Sequence, residues 1–557
     1  MDPVVQARLE RFKSTPIDGQ VLKKLVEAGL VWLRVNQQTV NLLNVFPVPD
    51  GDTGTNMVLT MQSAYNEIDS LGHHNVGQMA AAISQGALMG ARGNSGVILS
   101  QLWRGFARAL HNHEILDGPV LVRAFAEARD TAYKGVVRPV EGTILTVAKD
   151  TATAAEQALR ETDDPYEILV RVVPAADASV QQTPDLLPVL KQAGVVDAGG
   201  KGLFFILEGM LRHIQGEPLD TPSAVVQPIS AMKLENAMED IEPGQDFEVV
   251  VDFVPAQELN LQNFYTELET MGTSIQVGEG EGMYRMHIHV PTENRNKPVD
   301  YIMGLGSVTK VAMENLVAQV EDINKKSAKG RIELANIEPG QIAVVTVSPG
   351  PGISRVFASL GVAAIVEGGQ TMNPSTKDIL DAFENLPTNK VIILPNNKNI
   401  ILAAQQAKDV TVKKVYIVPS HNIPQGLAAV MHLNTDGDVE AVATRMTKSI
   451  EDVIAIEITT ATRTVEIDSV SVEQGQVIAL VNGKLAVSAS SVEEACLGAL
   501  EKAKADDYEL ITLFYGEDLS SAEANRIVDA VRTAYPAQEI EIQDGGQPHY
   551  QFIISVE

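Results

Sequence analysis

Asn44-Val45-Phe46-Pro47-Val48-Pro49-Asp50-Gly51-Asp52-Thr53-Gly54-Thr55-Asn56-Met57 is the stretch on which the reading of this chain turns. Pro47 and Pro49 stiffen the approach and exclude helix there. Asp50 and Asp52 follow two residues apart, in a turn that Gly51 makes possible. Hard oxygen ligands at this spacing suit Mg²⁺, which keeps several waters and completes its shell with carboxylates and phosphates. Thr53 to Met57 reads as a helix start, with hydroxyls and free backbone N–H groups at the positive end, where a phosphate is welcome. On its own, Asp-Gly-Asp reads first as an ordinary turn with helix-capping acids. The surrounding pattern has to separate the two.

Working outward, a second element matches the first. Gly90-Ala91-Arg92-Gly93-Asn94-Ser95-Gly96 lies between helical patterns at 80–89 and 97–109. Small residues let backbone approach a phosphate or purine edge closely, and Ser95 is placed to open the next helix. The plain alternative is a Gly-rich helix–helix connection. Glu141-Gly142-Thr143 and Asp197-Ala198-Gly199-Gly200-Lys201-Gly202 are of the same style, each just before an apolar helical run.

In this order, the four stretches resemble the nucleotide-binding subunit of dihydroxyacetone kinases. The longer forms NVFPVPDGDTGTNM and GARGNSGVILSQ look like the catalytic subunit of bacterial fatty acid kinase. That resemblance covers the chain in length and domain order. It implies an all-α helical barrel with ATP at one end and Mg²⁺ held by Asp50 and Asp52. A third acid of the dihydroxyacetone kinase subunit falls nearest Asn44 here, the candidate third Mg²⁺ ligand. Thr53, Gly54, Thr55, Asn56, Gly93, Asn94, Ser95 and Gly96 match the phosphate and nucleotide contacts. Thr143, Asp197 and Gly199 match the nucleotide-side loops. Arg92 has two readings, a transition-state cation or a structural ion pair.

Composition bounds the rest. A chain of 557 residues exceeds one core, so three or four domains are expected. The net charge of −29 argues against nucleic-acid binding and against docking on anionic lipid. The single cysteine, Cys496, excludes an internal disulfide and any multi-cysteine zinc site. No signal-peptide pattern opens the sequence, and no apolar run approaches the ~20 residues of a membrane span, so a cytoplasmic location is expected.

Along the chain, helical periodicity runs through 17–43, 54–69, 76–90, 97–110, 119–136, 143–161, 165–182, 184–193 and 202–214. No strand is predicted before a proline-rich linker. The expected division is 1–215 helical nucleotide-binding domain, 216–245 linker, 246–325 middle domain, 326–340 linker, and 341–557 C-terminal α/β partner-binding region with up to two lobes. A βαββαβ order in the middle domain predicts a ferredoxin-like α+β fold. His287 and His289 alternate on one strand and share a face, where two imidazoles suit Zn²⁺. The resemblance implies a zinc site of two His and one Cys there, but Val250 stands near the Cys position. The assignment therefore rests on two ligands, against a default of packed or hydrogen-bonded histidines. Beyond residue 341, strands alternate with helices as in a parallel sheet, resembling a lobe of DegV-type fatty-acid-binding proteins. Thr371, Ser375 and Thr376 follow a strand end, where such sheets bind ligands. A polar loop and a phosphate or partner contact are both open for them.

The implied activity is ATP- and Mg²⁺-dependent phosphorylation of a fatty-acid carboxylate presented by a separate DegV-type protein, by a homodimeric enzyme. No general base is needed, because a carboxylic acid titrates at about 4–5 and is ionised at neutral pH. The alternatives are a dihydroxyacetone-type kinase on another carried substrate and a non-catalytic nucleotide-binding scaffold.

Overall fold

The computed structural model describes residues 16–44, 51–136, 138–219, 227–228, 246–257, 259, 261–280, 283–315, 332–370, 372–461, 465–467 and 470–557. Asp50, Thr371, most of the first linker and residues 326–331 of the second lie outside these residues, as does 6–13, where the sequence also suggests a short helix. The chain forms two compact units, 1–220 with 332–557, and 221–331.

The helical domain contains α1 Gly19–Val35, α2 Gln37–Leu42, α3 Thr53–Ile68, α4 Val76–Met89, α5 Gly93–Leu110, α6 Gly118–Gly135, α7 Ile144–Ala158, α8 Pro165–Leu186, α9 Pro188–Ala193 and α10 Ala198–Gln215. Asp18 starts α1 by accepting from the Val21 N–H at 2.9 Å. Leu22, Leu25, Val26 and Leu33 form its buried stripe. The continuous helix expected over 17–43 is broken at Asn36, whose backbone leaves helical geometry and whose amide donates to the Trp32 carbonyl at 2.8 Å. Conversely, α8 runs past Pro184. Proline has no N–H for the Val180 carbonyl, and the Thr183 hydroxyl donates to it instead, at 2.7 Å.

Eight of these helices close a ring: α1 packs on α3, each later long helix on the next, and α10 returns to α1. That last contact is tight. A side chain on Gly209 would meet the Ala28 carbonyl at 2.6 Å. Trp32 donates to Glu208 at 2.7 Å, and the Arg212 guanidinium lies 4.0 Å from the Trp32 ring centre. No described helix is long and apolar enough to cross a membrane.

The middle unit is ferredoxin-like. Its elements are β2 Phe247–Pro255, α11 Leu261–Glu269, β3 Thr273–Gly280, β4 Met283–Val290, α12 Lys297–Leu305 and β5 Gly306–Asn315. The sheet order is β3-β4-β2-β5, antiparallel throughout, with the two-residue strand β1 Gln227–Pro228 added beside β3. Val249, Val251, Phe253, Met286 and Ile288 join Phe264, Leu268 and Ile302 in one core, so alternation on the strands meets the helices on one face.

The C-terminal region has two sheets. The parallel one runs β7-β6-β8-β9, from β6 Ile342–Ser348, β7 Ala364–Glu367, β8 Lys390–Leu394 and β9 Lys414–Ile417. All seven residues of β6 are buried, as a central strand covered on both faces requires. The mixed second sheet includes β10 Ile454–Thr460, its neighbours from 477 to 489, and three strands between 510 and 556. Cys496 is fully buried beneath it, and burial pushes its thiol pKa up.

Candidate functional site

The helical domain brings its four glycine-bearing stretches to one end. Asp52 is the N-terminal flanking residue of α3 and is 6% exposed. Gly51 before it has φ +54°, a conformation that favours glycine. Asn56, one turn into α3, is also buried. Gly93 has φ +57°, and a side chain there would strike the Asn56 amide at 2.5 Å. Gly96 likewise sits 2.4 Å, measured from a notional Cβ, from the Thr60 hydroxyl. The fourth stretch joins through Gly202, where a Cβ would meet the Met57 sulfur at 2.5 Å. The third and fourth stretches touch through Asp197, which accepts from the Ile144 and Gly200 backbone N–H groups.

Each helix start has its own local cause. Thr143 flanks α7 and donates its hydroxyl to the Val140 carbonyl at 2.7 Å. Asp197 flanks α10 and accepts from Gly200 at 2.6 Å. Burial pushes the Asp197 carboxyl up to about 6, against the opposing pull of those two N–H groups. Gly199 packs against Ile144. Glu141 accepts from Lys149, Thr146 and Tyr133 at 2.6, 2.7 and 2.9 Å, and these donors hold its carboxyl below the usual range.

Two expectations need correction. The N–H groups of Gly54 and Thr55 are not left open for phosphate. The Asn41 side-chain oxygen accepts from them at 2.7 and 3.2 Å, while Gln37 and Asn41 both donate to the Thr55 hydroxyl. An amide on the preceding short helix thus caps α3 from outside its own chain segment. The stretch Gly93–Gly96 is also not a connecting loop: α5 begins at Gly93, with Arg92 flanking it and Asn94 and Ser95 in its first turn. Positive φ at Gly93 lets the chain turn straight into helix. Asn44 ends the turn after α2, its N–H donating to the Asn41 carbonyl at 3.2 Å.

The least expected neighbour is the C-terminal region. Asn373, 2% exposed, donates its Nδ2 to the Asp52 carboxylate. Arg92 donates to the Asn373 carbonyl at 3.1 Å and pairs with Asp378 at 3.3 Å, so of its two readings an ion pair is the one with partners here. Arg92 forms a backbone bridge with Ser375, and Thr376 N–H donates to the Ala91 carbonyl at 3.1 Å. Asn94 donates to Asn399 at 2.9 Å, and Gln406 links Ser100 to Thr376. Ala91 and Val97 complete the same apolar cluster as Val345, Val347, Ile379 and Phe383. Sequence reading places Ser375 and Thr376 at a ligand-type strand end but misses Asn373, Asp378 and Asn41. The one local signal is Ser375 three residues before Asp378, the capping box that starts helix Thr376–Glu384.

In the middle unit, His287 and His289 do share the sheet face away from the helices. Both are buried, with ring centres 5.0 Å apart. His287 Nε2 lies 2.9 Å from Glu248, and Val250 sits opposite His287 in the register. Among the described residues no group of three or more His, Cys, Asp or Glu is arranged to hold a metal. The implied set of two His and one Cys is not present: the would-be Cys position is the aliphatic Val250, and the group beside His287 is the Glu248 carboxylate.

Comparison with known proteins follows this geometry. Residues 47–212 match the DAK2 domain, 242–323 the FakA-like middle domain of fatty acid kinase, and 343–557 the FakA-like C-terminal domain. An uncharacterized protein of Staphylococcus saprophyticus is 38% identical over 550 residues, covering 97% of this chain and 99% of that one. One of Staphylococcus aureus strain MRSA252 is 37% identical over 551 residues, with the same coverage. Among solved structures, the Streptococcus pneumoniae fatty acid kinase B3 protein loaded with linoleic acid aligns with 39% of this chain and 99% of its own, at 13% identity and TM-score 0.28. The dihydroxyacetone kinase of C. freundii in complex with AMP-PNP and Mg²⁺ aligns with 36% of this chain and 35% of its own, at 19% identity and TM-score 0.29. A helical ring that matches the DAK2 domain places the chain in the phosphotransferase, kinase class. The chain belongs to the FakA-like family of fatty acid kinase proteins.

Proposed function

We propose that this chain phosphorylates the carboxylate of a fatty acid, using ATP and Mg²⁺, with the acyl chain presented by a separate DegV-type binding protein. The product is an acyl phosphate. The observation that carries the reading is the convergence of Asp52, Asn56 and the Arg92–Gly96 turn at one end of the helical ring, in a chain of this family.

The donor set fits a divalent cation: a buried carboxylate at Asp52 stands beside the buried amide side chain of Asn373. Asp50 and Asp52 are the proposed holders, with Asn44 the proposed third ligand. When bound, Mg²⁺ withdraws charge from the transferred phosphoryl group. The chain's own part is positioning. Thr53, Asn56, Asn94, Ser95 and the backbone at Gly93 and Gly96 bound the space for the terminal phosphates. Thr143, Asp197 and Gly199 bound the nucleotide side. The acceptor carboxylate arrives ionised, so no residue has to remove a proton from it.

The proposed division is a kinase domain at 1–215, a middle domain at 246–325 and a partner-binding region at 341–557, in a homodimeric cytoplasmic enzyme. The test is transfer of labelled phosphate from ATP to fatty acid, with and without a DegV-type protein. Label should enter an acyl phosphate only when both proteins are present, and Asp52→Ala should lower the rate at least about 100-fold while leaving the melting curve in place. Equal transfer by a folded Asp52→Ala variant sinks the reading.

A further inference from the structure

The Asp52 carboxylate is touched by a residue 321 positions away in sequence. Asn373 belongs to the loop between β7 and helix Thr376–Glu384, and three features hold that loop still. Arg92 grips its backbone at the Asn373 carbonyl and its helix at Asp378. The Ser375–Asp378 capping box fixes the turn. The Ala91 carbonyl takes the Thr376 N–H. Asn373 is therefore aimed, not merely nearby.

Its two polar ends are treated unequally. Nδ2 donates to Asp52, whereas Oδ1 is buried with no hydrogen-bond partner among the described residues. A buried carbonyl-type oxygen without a donor is costly and rare. Here it lies on a side chain bonded to a buried carboxylate, so two hard acceptors are gathered out of water. A divalent cation beside Asp52 would give that oxygen its partner, and amide oxygens are among the ligands such cations accept.

We propose that Asn373 completes the cation site of the helical domain from the C-terminal region: its Nδ2 orients Asp52, and its Oδ1 offers a further oxygen to the cation's shell. The inference rests on the proposed cation role of Asp52. It makes the kinase site incomplete without the loop 368–376, a stretch whose sequence alone suggests ligand or partner contact.

The experiment is Mn²⁺ binding to the full chain with AMP-PNP, followed by electron paramagnetic resonance, for wild type, Asp52→Asn, Asn373→Ala and Asn373→Leu. Leucine fills the asparagine's volume without its polar ends, and cation-free melting curves report folding for both variants. Both Asn373 variants should bind Mn²⁺ at least about 10-fold more weakly. Their Mg²⁺ requirement for phosphoryl transfer should rise by a similar factor. A merely structural contact would move melting and leave the Mn²⁺ affinity alone. If Asp52→Asn loses binding while folded Asn373→Leu binds as wild type does, this inference is overturned and the cation site survives. Binding that is tighter in Asn373→Leu also overturns it, since the amide would then be shielding the carboxylate. If wild type fails to bind, or Asp52→Asn binds normally, the underlying cation reading falls instead.

Discussion

Two buried aspartates in this chain are met by different kinds of side chain. Asp252, on β2 of the middle unit, is 5% exposed and is met across the strands by Arg285, with two hydrogen bonds of 2.6 and 2.7 Å. Asp52, equally buried, takes a hydrogen bond from the neutral amide of Asn373. A guanidinium cancels a carboxylate's charge and satisfies its oxygens together. An amide satisfies an oxygen without bringing a charge. The first arrangement is suited to holding a sheet face together.

The comparison can be broken most forcefully at Arg285. Replacing it with Met leaves Asp252 buried without its cation, and the middle unit should lose roughly 3 kcal/mol. Hydrogen exchange at β2 and β4 of the full chain reads this as faster opening, with phosphoryl transfer unchanged while the unit stays folded. Unaltered protection would mean that Asp252 tolerates burial without a cation, and the contrast with Asp52 would lose its meaning.

Asp197 sharpens the contrast, because its oxygens are met by backbone N–H groups. Its carboxyl rises from 3.8 to about 6 on folding, so the folded state binds the proton more tightly than the unfolded one. Its ionisation therefore costs the native state stability: the cost is absent below about pH 4, grows as pH rises towards about 6, and is constant above that. Asp197→Asn keeps a capping side chain and removes the charge. Its stability relative to wild type, from melting without ligand, should improve across that window and then level off. A difference that is flat with pH would show that Asp197 is not strained by its charge.

The smallest effect belongs to Arg92 and Asp378, whose side chains are 33% and 46% exposed. A double-mutant cycle with Arg92→Met and Asp378→Asn should give a coupling below about 1 kcal/mol in stability, because water screens the pair. A much larger coupling would move this contact into the same class as Asp252 and Arg285.

How much is legible in the sequence differs by region. The helical ring is readable because each helix carries its own buried stripe and its own start, such as Asp18 or Asp117 accepting from N–H groups three residues on. The middle fold is readable from alternation, which puts Val249, Val251 and Phe253 on one face. Departures cluster where a side chain takes the place of a backbone hydrogen-bond partner. The break at Asn36 and the capping of α3 by Asn41 are of that kind. So is the survival of α8 through Pro184, which depends on the Thr183 hydroxyl.

What the sequence by itself determined is everything carried by short-range periodicity and turn chemistry: a helical kinase-type domain, a βαββαβ unit, a parallel sheet, and the acidic and glycine-rich stretches of the candidate site. Only the tertiary structure decided that the candidate site's residues touch a second region of the chain. The bonds from Asn373 to Asp52, Asn94 to Asn399 and Gln406 to Ser100 each join residues more than 300 positions apart. Such contacts cost each partner nothing in local backbone preference, so they leave no pattern in the neighbouring residues. They exist because two apolar surfaces, Ala91 and Val97 on one side and Val347, Ile379 and Phe383 on the other, bury each other and bring the polar groups within reach.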